Sequence, residues 1–326
     1  MIALLLLLVS VLSVSANLFN KPEHNTTALH QDIFSHVSHM FPTIRNDLLK
    51  HVSNQYKMIP IKATEALVSQ RKYPSFSWMN VKHAIRVNQL SYCTSYQLKE
   101  YQCNDCEEFI IKSIRPSDYS QSIIYSTPSY IMVSFKETVP SVLTWMTTLN
   151  TQQTSYPCPG CRVNMGFYTR YTEIVEETVT ILTELYETNQ LPIYVSGHSV
   201  GAAIATLFAM HVRLKHPFLP LTHVFTFGSP RVGNDKFVKM AYHLFGTNWF
   251  RFMNQFDVIP SVPPLSFGYR HTGHLVTCNT GTSICNIDGR EDNTGGIQAD
   301  LTRIIESNKN VQLCHFTYLT EHMKCE

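Results

Sequence analysis

The chain has 326 residues, of which 44% are hydrophobic, 11% aromatic and only 15% charged, a composition that excludes an intrinsically disordered protein and provides for a large apolar core. Lysine and arginine together number 26 and aspartate and glutamate 24, which gives a net charge of +2. Because no basic cluster accompanies this near balance, nucleic acid is excluded as an expected partner.

The first segment, residues 1–16, has the pattern of a secretory signal peptide. Ile2–Val14 is apolar apart from two serines, no charged side chain precedes Lys21, and Val14-Ser15-Ala16 offers small residues for cleavage. Thirteen residues of helix cover about 20 Å, which is short of the ~30 Å hydrocarbon core of a bilayer. We therefore expect an extracellular or secretory-pathway protein with no transmembrane segment.

Residues 17–72 are polar, rich in histidine and free of cysteine. This composition predicts either a propeptide or an N-terminal extension, with the main domain at residues 73–326. The sequon Asn25-Thr26-Thr27 lies in this segment, and in an exported chain it predicts glycosylation of an exposed stretch.

Short β-rich segments follow a helical stretch that leads to Tyr92-Cys93. These segments are Phe109–Ile111, Ile123–Tyr125 and Tyr130–Phe135, and Ser126–Ser129 between the last two has turn composition. The pattern predicts a β-hairpin.

From residue 167 onward, helical and extended patterns alternate. Apolar side chains recur at helical spacing over residues ~167–188, which predicts one amphipathic helix. The later elements are a strand at Ile193–Ser196, a helix at Val200–Leu214, a strand at Val224–Phe227, a helix at Asp235–Phe245 and a strand at Trp249–Met253. Strands that alternate with helices predict an α/β protein with a mostly parallel sheet.

The motif Gly197-His198-Ser199-Val200-Gly201 lies between a predicted strand and a predicted helix. In a Gly-x-Ser-x-Gly elbow the glycines permit a tight turn that raises the serine hydroxyl above the sheet. The helix that follows directs free N–H groups and the positive end of its dipole at a developing oxyanion. The motif therefore predicts Ser199 as a nucleophile, and the alternative is a plain glycine-rich turn.

A nucleophilic serine needs a base, and the base needs a carboxylate that orients it; in this fold they follow in the order serine, acid, histidine. Asp257 follows a predicted strand, where such sites assemble, although it could also cap a turn. The downstream histidines are His271, His274, His315 and His322. The residues alone do not separate these four candidates.

Three segments resemble the secreted fungal-type (class 3) lipases, and the resemblance extends from about Tyr92 to the C-terminus. The segments are Thr226–Asn234 together with the elbow, Asn254–Pro260, and His315-Phe316-Thr317-Tyr318. The resemblance implies an α/β-hydrolase fold, with a mostly parallel central sheet flanked by helices and a short lid helix. It also implies a serine ester hydrolase that acts on acylglycerols, with a lipid or small ester substrate at a lipid–water interface and with neither cofactor nor metal.

The resemblance assigns Ser199, Asp257 and His315 to the catalytic triad. It chooses His315 because the histidine of that family lies in a His-x-x-Tyr context near the C-terminus. His271 falls in Gly268–Gly273, a structural segment of the family, and is the alternative base.

The same resemblance implies oxyanion donors at the N–H groups of Val200 and Thr138. The family has glycine where this chain has Glu137, and a carboxylate there would oppose negative charge on the ester oxygen. Three further departures are Val200 in place of leucine, Ala202 in place of glycine and Asn164 in place of histidine.

The lid implied by the resemblance falls in the charge-free segment Val139–Asn150 and includes Val142, Trp145 and Met146. Helical spacing of its apolar side chains fits a packed core helix equally well. The remaining alternatives concern function: a phospholipase or a feruloyl or short-acyl esterase on the same scaffold, or a catalytically impaired relative that binds lipid.

All nine cysteines lie beyond residue 92, and in an exported chain they indicate disulfides rather than redox or zinc sites. Resemblance and spacing together imply four bridges: Cys103–Cys106, Cys158–Cys161, Cys278–Cys285 and Cys93–Cys325. Cys314 is then the odd thiol, and the alternative long bridge is Cys93–Cys314.

Overall fold

The computed structural model of the chain describes residues 77–100, 110–114, 120–137, 149–254, 257–279, 285–287, 315–319 and 321–324. They belong to one structural unit, which comprises Tyr73–Val139 and Leu149–Glu326. The predicted signal peptide, the segment 17–72 with its sequon, and the predicted lid residues Val142, Trp145 and Met146 lie outside the described residues. Within the described ranges, no helix combines the length and the apolar composition needed to cross a membrane.

Eight of the described strands form one sheet. They are β1 (Ile110–Ile114), β2 (Ser120–Ser126), β3 (Ile131–Glu137), β6 (Ile193–His198), β7 (Leu221–Phe227), β8 (Trp249–Asn254), β9 (His274–Cys278) and β10 (Cys285–Ile287). Their order is β1-β2-β3-β6-β7-β8-β9-β10; β3, β6, β7, β8 and β9 are parallel to one another, and the remaining pairs are antiparallel. The predicted mostly parallel sheet and the predicted hairpin, which is formed by β2 and β3, are therefore confirmed.

Two small antiparallel sheets accompany the large one. β4 (Gln153–Ser155) pairs with β5 (Arg162–Asn164), and β11 (Thr317–Tyr318) pairs with β12 (Glu321–His322). The disulfide Cys158–Cys161 closes the turn between β4 and β5. A second disulfide joins Cys278 to Cys285 across the β9–β10 pair.

The described helices are α1 (Trp78–Ser91), α2 (Ser95–Lys99), α3 (Met165–Thr172), α4 (Val175–Asn189), α5 (Val200–Lys215) and α6 (Asp235–Phe245). Helices α1 and α5 cover opposite faces of the sheet at β3. Ser134 donates a hydrogen bond to Asn88 of α1 (2.8 Å), whereas the ring of Phe135 lies 4.9 Å from that of Phe208 in α5. Because successive strand residues point to opposite faces, the two contacts place the helices on either side.

The single helix predicted over residues ~167–188 is wrong in one respect, because the structure has α3 and α4 with a break between them. The hydroxyl of Thr172 bonds to the carbonyl of Thr169 (2.7 Å), and the N–H groups of Glu173 and Ile174 bond three residues back. These bonds tighten the last turn and end α3. The apolar periodicity continues in phase across the break, so the pattern alone does not reveal it.

Candidate active site

The elbow is built where β6 ends and α5 begins. Ser199 has φ +58° and ψ −128°, a left-handed backbone that is strained for a residue other than glycine. A Cβ at Gly197 would overlap the carbonyl of Gly201, and a Cβ at Gly201 would overlap the carbonyl of Phe135. The two glycines therefore allow the helix to start directly against the sheet, with the serine at the turn.

Three predicted residues, which are far apart in the sequence, meet at this turn. The Nε2 atom of His315 lies 2.8 Å from the Oγ atom of Ser199. On the other side of the ring, Nδ1 lies 3.0 and 2.9 Å from the two carboxylate oxygens of Asp257. His315 and Asp257 have no solvent exposure and Ser199 has 7%. This geometry allows a proton to pass from the hydroxyl to an imidazole that the carboxylate orients.

Further donors fix the carboxylate of Asp257. The backbone N–H of Ile259 donates to Oδ1 (3.0 Å), and the hydroxyl of Tyr318 donates to Oδ2 (3.0 Å). At the sequence level, Tyr318 was used only as part of the His-x-x-Tyr pattern that selected His315. That pattern was also the available signal that Tyr318 belongs to the site. The segment that carries the tyrosine bonds to the ends of β6 and β8, through His198 to the carbonyl of His315 and through Asn254 to the carbonyl of Thr317.

Gly228 lies in front of the same pair with φ +56°. A Cβ at this position would lie 2.8 Å from Oδ2 of Asp257 and 2.9 Å from Cε1 of His315. The position therefore needs glycine both for its backbone conformation and for the close approach of the two side chains.

The structure describes the predicted oxyanion residues only in part. Val200 is the first residue of α5, so its N–H faces the turn with no partner inside the helix. Thr138 and the side chain of Glu137 lie outside the described residues. The ammonium of Lys136, the residue before Glu137, lies 5.2 Å from the ring centroid of Tyr92.

The other predicted histidines have different neighbours. His271 is buried and its Nε2 atom lies 2.8 Å from the carbonyl of Pro260. His274 is the first residue of β9, where its ring packs against Tyr242 and Phe250. Among the described residues, no group of three or more histidine, cysteine, aspartate or glutamate side chains is arranged to hold a metal ion.

Asn164, which replaces a histidine of the family, caps helix α3. Its Oδ1 atom accepts from the N–H of Phe167 (3.1 Å), and its Nδ2 atom lies 2.5 Å from the carbonyl of Asn150 and 3.2 Å from the hydroxyl of Tyr269. The side chain thus links α3 to the chain that enters β4. Asn164 therefore has a structural role at this position, where its side-chain oxygen and nitrogen are both hydrogen-bonded.

Residues 132–267 match the family described as Lipase (class 3). A secreted mono- and diacylglycerol lipase of Fusarium solani is 34% identical over 145 residues, which are 44% of this chain and 42% of that protein. A lipase of Rhizomucor miehei is 32% identical over 137 residues, or 41% of this chain and 38% of that one. The matched region therefore spans less than half the length of these relatives.

Solved structures share the fold over a larger part of the chain. A lipase from Rhizopus microsporus var. chinensis superposes with a TM-score of 0.66 and 23% identity, covering 77% of this chain and 90% of that one. The mono- and diacylglycerol lipase from Aspergillus oryzae gives 0.61 at 22% identity, with 77% and 98% covered. At this identity the likeness establishes the α/β-hydrolase fold.

Proposed function

We propose that the chain is a serine ester hydrolase of the class 3 lipase type that cleaves carboxylic ester bonds of acylglycerols. The match of residues 132–267 to that family supports the proposal. The observation that carries this proposal is the hydrogen-bonded series from Ser199 through His315 to Asp257 at the end of the parallel sheet. Each member has a contact that suits its proposed role.

In the proposed reaction, the Oγ atom of Ser199 attacks the ester carbonyl while Nε2 of His315 accepts the hydroxyl proton. The histidine then returns that proton to the departing alcohol, which leaves an acyl-serine. Water, deprotonated by the same histidine, hydrolyses the acyl group and restores the serine. Asp257 holds the tautomer that keeps the Nε2 lone pair directed at the serine and stabilises the imidazolium that forms.

The oxyanion of each tetrahedral intermediate needs preorganised donors. We propose the backbone N–H groups of Val200 and Thr138. Val200 is supported by its position as the first residue of α5. Its N–H has no partner inside the helix, and the helix dipole favours negative charge there.

The substrate class and the location are also proposals. Relatives named as secreted mono- and diacylglycerol lipases support an acylglycerol substrate and release to the cell exterior. The apolar signal-peptide pattern of residues 1–16 supports the same location. A substrate of this kind would be met at a lipid–water interface.

The proposal is tested by hydrolysis of p-nitrophenyl butyrate and of emulsified mono-, di- and triacylglycerols. We expect turnover in the parent protein, and loss of turnover in Ser199→Ala and in His315→Ala with the fold retained. His271→Ala is the matched control, since it removes a buried histidine that bonds to the Pro260 carbonyl; it should keep substantial activity.

Other outcomes would redirect the proposal. Activity that survives in His315→Ala but is lost in His271→Ala would move the base to His271. Faster cleavage of phospholipids or feruloyl esters than of acylglycerols would change the substrate class. Lipid binding without turnover in the parent protein would contradict the enzyme and support a binding relative.

A further inference from the structure

His198 occupies the variable position of the elbow, directly before the proposed nucleophile. Its side chain is 1% exposed and packs against the segment that carries the proposed base. The ring centroids of His315, Phe316 and Tyr318 lie 4.6, 5.2 and 6.1 Å from that of His198. A titratable side chain in this place is not used by the reaction steps proposed above.

Both nitrogens of His198 have hydrogen-bond partners. Nε2 lies 2.8 Å from the backbone carbonyl of His315, and Nδ1 lies 2.7 Å from the hydroxyl of Tyr92. A carbonyl can only accept, so Nε2 carries the hydrogen and donates it. In the neutral ring Nδ1 is then the acceptor, and the Tyr92 hydroxyl donates to it. The two bonds therefore define one tautomer of His198, in which Tyr92 donates to the ring and the ring donates to the carbonyl of His315.

The hydroxyl of Tyr92 is held as a donor to His198. The burial of Tyr92 raises the pKa of its hydroxyl well above the usual value, so the hydroxyl stays a donor. The ammonium of Lys136 lies 5.2 Å from the centroid of the tyrosine ring, and the ring of His315 lies next to that of His198. A neutral neighbour matters here, because a positive charge on His198 would oppose the imidazolium that forms on His315 during the reaction.

The segment that carries the base is attached to the large sheet through side chains. His198 at the end of β6 bonds to the carbonyl of His315. Asn254 at the end of β8 bonds to the carbonyl of Thr317, with Nδ2 and O separated by 2.5 Å. These two bonds join rigid strand ends to the short β11 segment, and the first one acts on the peptide unit of the base itself.

We propose that His198, oriented by Tyr92, is a positioning residue that holds the backbone of His315 and thereby sets the distance from its imidazole to Ser199 and Asp257. The inference rests on the proposed function, because it assigns His198 a role in that same site. A small displacement of a reacting group lowers the rate of the chemical step more than it lowers substrate binding.

The test compares His198→Phe with His198→Gln in p-nitrophenyl butyrate hydrolysis. Phenylalanine keeps an aromatic ring but removes both hydrogen bonds, so kcat should fall roughly ten- to hundredfold with little change in KM. Glutamine offers an N–H donor to the same carbonyl and should recover most of the loss. The matched control is His271→Phe, which also removes a buried imidazole that bonds to a carbonyl at 2.8 Å, and which should leave kcat close to that of the parent.

A spectroscopic measurement separates this inference from the proposed function. The proton between Nδ1 of His315 and Asp257 should give a low-field NMR resonance in the parent and in His271→Phe, and the resonance should broaden or move in His198→Phe. If the parent hydrolyses no ester but the resonance responds in this way, the proposed function fails and the positioning role stands.

Equal kcat and equal resonances in His198→Phe and His271→Phe would overturn the inference, because His198 would then be a structural histidine only. Should His198→Phe not fold, Tyr92→Phe removes just the hydroxyl that orients the ring. It should shift the resonance and lower kcat in the same direction by a smaller factor, and an unchanged resonance and kcat there would overturn the inference as well.

Discussion

The carboxylate of Asp257 is surrounded by donors and has little tolerance for an amide. It accepts from His315, from the N–H of Ile259 and from the hydroxyl of Tyr318. In Asp257→Asn, one of these donors must face the NH₂ group of the new side chain. If the NH₂ group faces Nδ1 of His315, that nitrogen must accept, the hydrogen moves to Nε2, and the base for Ser199 is lost.

We therefore expect Asp257→Asn to lower kcat by about 10³ to 10⁴ while the protein still folds, with Tm lowered only modestly by the donor that faces the amide. The measurement is kcat on p-nitrophenyl butyrate together with a thermal melt. Asp235→Asn is the control, since that carboxylate is exposed at the start of α6 and pairs with Lys239. A loss of less than about tenfold in Asp257→Asn would contradict the assigned role.

Gly228 offers a second test at the scale of one residue. In Gly228→Ala the new Cβ would meet Oδ2 of Asp257 at 2.8 Å and Cε1 of His315 at 2.9 Å, on a backbone with φ +56°. We expect stability to fall by about 1–2 kcal/mol from the left-handed backbone. Displacement of the two side chains should lower kcat roughly ten- to hundredfold in addition.

The control for this variant is Gly246→Ala. Gly246 also has φ +56°, but no heavy atom lies within 4 Å of a Cβ built there. It should share the loss of stability, measured by urea unfolding, and keep the parent kcat. If Gly228→Ala and Gly246→Ala had the same kcat, the close approach at Gly228 would have no effect on the site.

Single residues could be predicted from the sequence only where a local motif carries the information. The elbow predicted Ser199 as the nucleophile and the strand end predicted Asp257 as a candidate acid, and the structure brings both to His315. The choice of His315 among four histidines needed the family resemblance. The His-x-x-Tyr spacing was a signal for Tyr318, but its contact with Asp257 and the contact of His198 with His315 were not predicted, because each joins residues more than 60 positions apart.

At the scale of elements, prediction succeeded where a segment had both a clear hydrophobic period and clear capping residues at its ends. The helix expected at Asp235–Phe245 has those bounds in the structure, with Asn234 capping the N–H of Phe237. The strands β9 and β10 were not predicted; β9 pairs in parallel with β8, and the Cys278–Cys285 disulfide joins β9 to β10. The break between α3 and α4 was missed because the local bonds that end α3 leave the apolar period unchanged.

The last turn of α5 gives a prediction about pH. His211 is half-buried there, and its Nδ1 atom lies 2.5 Å from the hydroxyl of Tyr171. Burial lowers the pKa of His211 below 6.5, the charges of His216 and Lys215 lower it further, and Glu176 opposes them. Because the unfolded chain then binds a proton more readily than the folded protein, stability is lost as the pH falls below about 6.5.

We expect His211→Gln to make the free energy of unfolding less dependent on pH between about 7.5 and 5.5, measured by urea unfolding at both values. His223 on β7 is the comparison, since burial alone lowers its pKa and His223→Gln should flatten the profile independently. An unchanged difference between the two pH values in His211→Gln would contradict the prediction.

At the scale of the whole molecule, the described disulfides are local, and one further bridge from Cys93 reaches beyond the described residues. The structure contains Cys158–Cys161 and Cys278–Cys285, as the resemblance implied. Cys93 is also disulfide-bonded, and its partner lies outside the described residues, as do Cys103 and Cys106. Cys93 shares a buried cluster with Tyr318, Leu319 and Met323, so the C-terminal segment packs against the end of α1.

We predict that Cys93 pairs with Cys325, two residues after the buried Met323, and that Cys314 is a free thiol. The bridge would enclose more than 200 residues, for which the loop-entropy model gives about 5 kcal/mol. It would also fix Tyr92, the residue before Cys93, whose hydroxyl bonds to His198. Cys325→Ser should therefore lower Tm strongly and lower kcat, whereas Cys314→Ser should change neither by much.

Peptide mapping of the unreduced protein decides the pairing directly. A cross-linked peptide that contains Cys93 and Cys325, together with alkylation of Cys314 before reduction, is the expected result. A peptide that joins Cys93 to Cys314 would contradict it, and Cys325 would then be a thiol near the chain end whose replacement is harmless. In that case the bridge would fix the residue next to His315, and Cys314→Ser rather than Cys325→Ser would lower both Tm and kcat.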